Sequence, residues 1–104
     1  MEFASIHYST ERQERHAFIQ EYIGEGNIID SFVVNRGHPG GDEIHSVTDT
    51  AIIIIRNQKT NKVITELIAR PEQLRRLYRS ENREVPKRVL SLAYKHNIAS
   101  CNEI

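Results

Sequence analysis

The longest uninterrupted apolar run in the chain lies at 51–55, where an alanine is followed by four isoleucines. Residues that are β-branched and apolar at every position are typical of a central strand covered on both faces. A run of five is too short for a buried helix, so the pattern predicts a central strand at 51–56. A polar loop follows at 56–62, and β-branched residues return at 63–68. The two apolar segments therefore predict an antiparallel hairpin, with Asn61 in a left-handed conformation in its loop.

Alternation along the neighbouring strands assigns their polar side chains to faces. In the strand at 63–68, Thr65 points to the same face as Val63 and Leu67. A further strand is predicted at 43–48, where His45 points to one face and Thr48 to the other. Sequence does not fix the register between the two strands, so His45 is predicted either to face Thr65 across the sheet or to point away from it.

Helical spacing of apolar residues predicts three helices. The first has Ser9 or Thr10 as its N-cap, carries an apolar stripe, and ends at Gly24. Proline is favoured in the first helical turn, so Pro71 and Pro86 are predicted to open the second and third helices.

The order of these elements indicates the fold class. A strand predicted at 27–35 follows the first helix, and the glycine-rich segment 36–42 is predicted as a loop. The chain then has one N-terminal helix, an antiparallel sheet of about four strands, and two C-terminal helices. This order predicts an α+β fold, and a length of 104 residues predicts a single domain, 1–104.

Charge changes this picture because it is unevenly distributed. The formal net charge is zero, but residues 1–49 hold nine acids and three bases, whereas residues 70–88 hold seven bases and three acids. A basic segment of this kind is either the solvated face of a helix or a surface that binds nucleic acid. The candidate nucleic-acid-binding residues are Arg75, Arg76, Arg79, Arg83, Lys87 and Arg88.

Cysteine content and hydropathy limit the expected location. The single cysteine, Cys101, excludes an internal disulfide and a cysteine-rich zinc site. No apolar run approaches the length of a membrane span. The first residues also lack the basic segment followed by an apolar segment that is typical of a secretory signal peptide. We therefore expect a cytoplasmic protein that does not contact a membrane.

The histidines are the natural candidates for acid/base chemistry, since imidazole titrates near neutral pH. His45 is predicted either as such a group or as a packed strand residue, and His16, beside the apolar stripe of the first helix, as a partly buried structural residue. Nitrogen and oxygen ligands for a metal are present, but their spacing matches no standard motif. We predict neither a metal nor a cofactor at these positions, which are His38, Asp42, Glu43, His45 and Asp49.

Three segments of the chain together resemble a known family. They are IHYSTERQERHAFIQEYIGEGNIID, the strand AIIIIRN, and KVITELI after a polar loop. The chain resembles the small nuclease fold shared by barnase, EndoU, the nuclease colicins and RelE-type toxins, which also occurs in phage and mobile-element proteins. The resemblance implies a twisted four-stranded sheet with helices on one face. It also implies metal-independent cleavage of RNA by attack of a ribose 2′-hydroxyl on the adjacent phosphate. By position, the family's early histidine and arginine fall on His7 and on Arg12 or Arg15, and its late strand threonine falls on Thr65.

Cleavage of this kind needs a base, an acid and groups that stabilise the charged phosphate. We predict that His45 is the acid/base group and that Asp49 orients its imidazole. Thr65 and Arg70 are then expected to contact the phosphate. The full candidate catalytic set is His45, Thr48, Thr65, Arg70 and His7.

Two non-catalytic functions remain open at this point. One is a small phage inhibitor, similar to an anti-CRISPR protein, that binds a host protein of defence or metabolism through the acidic N-terminal half. The other is a structural or dimerising domain. The expected partner is RNA if the protein is a nuclease and a host protein if it is an inhibitor.

Overall fold

A four-stranded antiparallel sheet forms the centre of the computed structural model, which describes residues 13–24, 26–35, 37 and 40–102. The sheet follows one helical segment and precedes two helices, which confirms the predicted α+β fold. Helix α1 is described over 13–23, α-helical at 13–18 and π-helical at Ile19–Ile23. The remaining elements are β1 (Ile28–Val34), β2 (Glu43–Thr48), β3 (Ile52–Asn57), β4 (Val63–Ile68), α2 (Pro71–Arg79) and α3 (Lys87–Asn102).

The predicted boundaries hold to within one or two residues where they can be compared. Gly24 ends α1 with a φ of 80°, and its N–H donates to the carbonyl of Ile19 at 2.6 Å. The predicted N-cap, Ser9 or Thr10, lies outside the described residues. Ala51 is a turn residue rather than the start of a strand, because its φ is 65° and its N–H closes the turn onto the carbonyl of Thr48 at 3.1 Å. Asn61 has the predicted left-handed conformation, with a φ of 60°.

Strand β3 lies between β2 and β4 and is buried on both of its faces. The strands pair in the order β1, β2, β3, β4, so that Val47, Ile53 and Leu67 form one row across the sheet. Ile52 and Ile53 point to opposite faces, and both are completely buried. A strand with two buried faces requires a covering layer on each side of the sheet.

Helices α2 and α3 cover the face that carries Ile53. Their buried residues Leu74, Tyr78, Val89 and Ala93 belong to the same core cluster as Ile53. Pro71 is the first residue of α2, as predicted, and the Gln73 side chain accepts a hydrogen bond from the Arg70 N–H at 3.2 Å. No helix in the described part of the chain is both long enough and apolar enough to cross a membrane.

Helix α1 contacts the other face of the sheet. Its His16 binds Glu66, which alternates on β4 with Leu67, a residue packed against the α2–α3 core. The described helices therefore lie on both faces of the sheet. This differs from the single-sided arrangement that the nuclease resemblance implies, and the physical reason is the burial of Ile52 opposite Ile53.

Tyr78 joins α2 to β1, at the edge of the described sheet, through a partly buried hydrogen bond. Its hydroxyl donates to Asp30 Oδ2 at 2.5 Å, and Arg83 Nη2 donates to Asp30 Oδ1 at 2.8 Å. The Arg83 guanidinium also lies 5.2 Å from the centre of the Tyr78 ring. Burial alone would raise the pKa of Asp30, but the hydrogen bonds from Tyr78 and Arg83 outweigh it and hold that pKa below its ordinary value of 3.8. Burial and the Asp30 carboxylate raise the pKa of the Tyr78 hydroxyl, which keeps it protonated as a donor.

Replacing Ile53 by Asp should unfold the protein. Ile53 is fully buried, and an unpaired carboxylate at that position costs several kcal/mol, which is comparable with the ~5–15 kcal/mol that stabilises a domain of this kind. Thermal unfolding followed by circular dichroism measures the effect. Val63→Asp is the matched control, because Val63 is 49% exposed on the neighbouring strand and should tolerate the charge. A soluble Ile53→Asp variant with an unchanged melting temperature contradicts the prediction.

Asp30→Asn should lower the free energy of unfolding by about 1–3 kcal/mol at pH 7, because hydrogen bonds to a charged acceptor are lost. The pKa of Asp30 is depressed in the folded state, so its contribution to stability is complete above its ordinary pKa of 3.8 and is lost as the pH falls through the lower folded value. The difference between wild type and variant should therefore shrink below about pH 4.

Urea unfolding between pH 7 and pH 3 measures this difference. Glu84→Gln, at an exposed position, is the control for loss of one carboxylate and should lower the free energy of unfolding by much less. A wild-type minus Asp30→Asn difference that stays constant over the whole range would show that the Asp30 charge does not stabilise the fold.

Candidate functional site

Two adjacent residues of α1 bind two adjacent residues of β4. Arg15 Nη2 donates to the Thr65 hydroxyl at 3.1 Å, and His16 Nδ1 is hydrogen-bonded to Glu66 Oε1. Thr65 and Glu66 point to opposite faces of the sheet because they are consecutive strand residues. Arg15 reaches Thr65 from α1 because β4 is the last strand of the described sheet, so α1 can reach both sides of its edge.

The His16–Glu66 pair combines an exposed imidazole with a buried carboxylate. The side chain of His16 is 60% exposed, whereas that of Glu66 is 10% exposed. A carboxylate on Nδ1 favours the tautomer that carries its proton there, which leaves Nε2 as the acceptor. His16 is therefore more exposed than the sequence predicted, and its contact with the sheet is the hydrogen bond to Glu66. The pair has the composition and geometry of an acid/base group oriented by a carboxylate.

Next to this contact lies a groove of about 400 Å³ with three arginines in its lining. Arg15 forms one part of the lining, and Arg70 and Arg76 extend from the start and middle of α2. Glu72 is the one acidic residue in the lining, so positive charge dominates. Guanidinium groups bind phosphate oxygens through two parallel donors, and the groove is therefore suited to an anionic ligand.

His45 lies elsewhere, in the middle of the α2–α3 face. It is 8% exposed and pairs with Phe32 of β1 and Ile55 of β3. Because Ile55 also pairs with Thr65, His45 and Thr65 share a face but lie two strand spacings apart, about 10 Å. The register that the sequence left open is thus resolved, and the two side chains do not adjoin.

The carboxylate partner of His45 also differs from the predicted one. His45 Nε2 is 3.0 Å from Glu43 Oε1, on the same strand and face. Asp49 instead accepts a hydrogen bond from the Asn27 N–H at 2.9 Å. The prediction that Asp49 orients His45 is therefore wrong, because the turn after β2 directs Asp49 toward the start of β1.

The other predicted catalytic residues are divided among three places. Thr48 is fully buried on the face opposite His45, and its hydroxyl accepts the N–H groups of Ile52 at 3.1 Å and Thr50 at 3.3 Å. Arg70 lines the arginine groove, and Thr65 joins it through Arg15. His7, together with Arg12 and His38, lies outside the described residues. The structure therefore places Arg70 in the groove and links Thr65 to it through Arg15, but it places His45 and Thr48 elsewhere.

The predicted nucleic-acid-binding residues fall on both sides of α2. Arg76 lines the groove beside Arg15, and Arg88 is exposed but lines neither groove described here. The remaining four residues line a second groove, of about 540 Å³, between α2 and the start of α3: Arg75, Arg79, Arg83 and Lys87.

Sequence patterns carried only a partial signal for the α1–β4 contact. The resemblance places the family's early arginine on either Arg12 or Arg15, and the sequence gives no reason to choose between them. Glu66 is an acid in the middle of a β-branched strand, and such a position is unusual enough to suggest a specific partner. His16 as that partner lies 50 residues away, so only the tertiary structure identifies it.

A smaller polar network lies on the Glu66 face of the sheet. The hydroxyls of Ser31 and Ser46 are 2.9 Å apart, and Arg56 Nη2 donates to Ser46 at 3.2 Å. Ser46 is fully buried, so this network satisfies its hydroxyl within the sheet. Among the residues that the structure describes, no group of three or more His, Cys, Asp and Glu side chains is placed to hold a metal.

Comparison of the chain with protein-family models, with curated proteins and with solved structures gives no match.

Proposed function

We propose that this protein is a metal-independent ribonuclease whose site lies at the contact of α1 with β4. The hydrogen bond between Arg15 and Thr65 is the observation that carries the proposal. Both positions are among those onto which the nuclease resemblance carries functional residues, and they are 50 residues apart in sequence. The adjoining His16–Glu66 pair and the arginine groove add an acid/base group and an anion site within the same small region.

The proposed reaction uses His16 as the base. The neutral imidazole keeps its Nδ1 proton, which is hydrogen-bonded to Glu66, and takes the proton of the ribose 2′-hydroxyl on Nε2 to become an imidazolium. The 2′-oxygen then forms a bond to phosphorus while the bond from phosphorus to the 5′-oxygen breaks. The leaving 5′-oxygen takes a proton from water, and His16 later returns its extra proton to solvent. The products are a 2′,3′-cyclic phosphate and a 5′-hydroxyl.

The arginines supply the electrostatic part of this mechanism. Charge accumulates on the non-bridging phosphate oxygens as the 2′-oxygen attacks, and guanidinium donors fixed near them stabilise that charge. The Thr65 hydroxyl holds Arg15 by accepting a hydrogen bond, so less conformational freedom remains to be lost when a phosphate binds. Arg70 and Arg76 line the same groove and provide further donors.

His16→Asn should lower the rate of RNA cleavage by roughly 10²-fold or more, because it removes the base. Asparagine places its amide N–H where imidazole Nδ1–H lies, so the hydrogen bond to Glu66 is kept and the melting temperature should change little. The measurement is the initial rate on end-labelled single-stranded and structured RNA at saturating substrate. Addition of a metal chelator should leave the wild-type rate unchanged.

His45→Ala separates this assignment from the one that sequence alone favours. Under the present proposal it should cleave at close to the wild-type rate once its lower stability is taken into account, since His45 is buried against Glu43. Loss of cleavage in a folded His45→Ala variant, with His16→Asn still active, moves the acid/base role to His45. RNA that stays intact with wild-type protein, with and without chelator, refutes the ribonuclease proposal.

A second candidate function, binding to a host protein, is favoured by the surface of β1. This strand is at the edge of the described sheet, and its Ile28, Ile29 and Val33 are 48%, 41% and 60% exposed. Apolar side chains on an open strand edge are suited to pairing with another chain. Intact RNA under all of the conditions above would leave this inhibitor function as the better account of the protein.

A further inference from the structure

The groove between α2 and the start of α3 concentrates positive charge in a chain with no net charge. Four basic residues, Arg75, Arg79, Arg83 and Lys87, line about 540 Å³ together with a single carboxylate, Glu84. The helix α2 itself separates this groove from the Arg15 groove, because Arg75 lines one and Arg76 the other. The two grooves thus lie side by side across one helix.

Two of the four cations are held in place by the fold. Arg75 Nη2 donates to the Tyr94 hydroxyl at 2.8 Å, and its guanidinium lies 5.7 Å from the centre of the Tyr94 ring. Arg83 is held by Asp30 at 2.8 Å and by the face of the Tyr78 ring. Guanidinium groups that are already fixed lose little side-chain entropy when a ligand binds.

The other two cations have no hydrogen-bond or ion-pair partner among the residues that the structure describes. Arg79 and Lys87 are exposed, and neither side chain makes a hydrogen bond or ion pair within the described chain. Arg75 and Arg79 are four residues apart on α2, where like charges destabilise a helix by a few tenths of a kcal/mol. The fold therefore tolerates unfavourable charge at this groove, which a polyanionic ligand would neutralise.

The lining of the groove also includes two apolar residues and the first residue of α3, Lys87. Val85 and Leu90 form part of the lining. The first backbone hydrogen bond of α3 joins the Leu90 N–H to the Pro86 carbonyl, so the preceding N–H groups begin the helix without intrahelical partners. The first turn holds no acidic residue that would compete with an anion. A lining that combines cations with apolar side chains suits a strand that carries both phosphates and bases.

We infer that this groove binds the backbone of single-stranded RNA, with Arg79 and Lys87 in direct contact with phosphates. The inference rests on the proposed function for the identity of the ligand, because the strand that occupies the groove is the substrate of the α1–β4 site. The groove binds the strand on one side of α2 while cleavage takes place on the other. The groove residues are binding residues and take no part in the chemical step.

The test uses a double variant, Arg79→Gln with Lys87→Gln, and a fluorescent 2′-O-methyl RNA strand that the proposed reaction cannot cleave. Loss of two phosphate contacts should weaken binding at least ~10-fold at 0.1 M salt and reduce the slope of log K against log salt by about 1.4. Lys59→Gln with Lys62→Gln removes the same charge from the exposed β3–β4 loop and is the matched control. Fluorescence anisotropy over a range of salt concentrations measures both quantities.

Equal affinity and equal salt slope for the groove variant and the loop control overturn the inference. Displacement of the RNA by polyglutamate at the same charge concentration also overturns it, since the groove then binds any polyanion. Cleavage is scored separately on ribo-oligonucleotides, where the groove variant should keep the wild-type rate at saturating RNA with a raised KM. If the groove variant weakens binding but the wild-type protein does not cleave RNA, only the proposed function is refuted. If the protein cleaves RNA but the groove variant binds it as well as the control does, only the inference about the groove is refuted.

Discussion

Burial of β3 on both faces is the constraint from which the rest of the architecture follows. Ile52 and Ile53 are consecutive and both fully buried, so neither face of the sheet can be left to solvent at this strand. Two helices at the C-terminal end of the chain cover one face, and α1 is the helix that contacts the other. The chain has to bring its first and last thirds together around one strand, so the α1–β4 contact depends on contacts between residues far apart in sequence.

The site at β4 is a consequence of that arrangement. A helix that covers the outer part of a four-stranded sheet passes an edge strand, and there consecutive strand residues present their side chains to both sides. Arg15 and His16 are also consecutive, and they contact Thr65 and Glu66 across this edge. Polar side chains at a sheet edge also oppose pairing with another chain, so the same contacts protect the edge from aggregation.

Sequence patterns predicted the elements well and the pairings of side chains poorly. The runs at 51–56 and 63–68 specify strands through composition alone, and Pro71 specifies a helix start through its fixed φ. The partners of His45 and His16 depend on register and on helix placement, which short-range patterns do not encode. Glu43, the partner of His45, is two residues away on the same strand, whereas the turn closed by Ala51 directs Asp49 to Asn27.

The position of Tyr78 links stability to the placement of charge. The centre of its ring lies 4.8 Å from that of Phe32, and its hydroxyl donates a hydrogen bond to Asp30. Asp30 in turn accepts a hydrogen bond from Arg83, which lines the groove between α2 and α3. The Asp30 carboxylate, itself hydrogen-bonded to Tyr78, thus fixes the position of the surface residue Arg83. On the other side of α2, Thr65 does the same for Arg15. In both cases a residue of the sheet positions an arginine beside α2, so the rigidity of the sheet is transmitted to the two arginine-lined grooves, and the proposed RNA strand, on crossing the helix, would meet cations held at a fixed spacing.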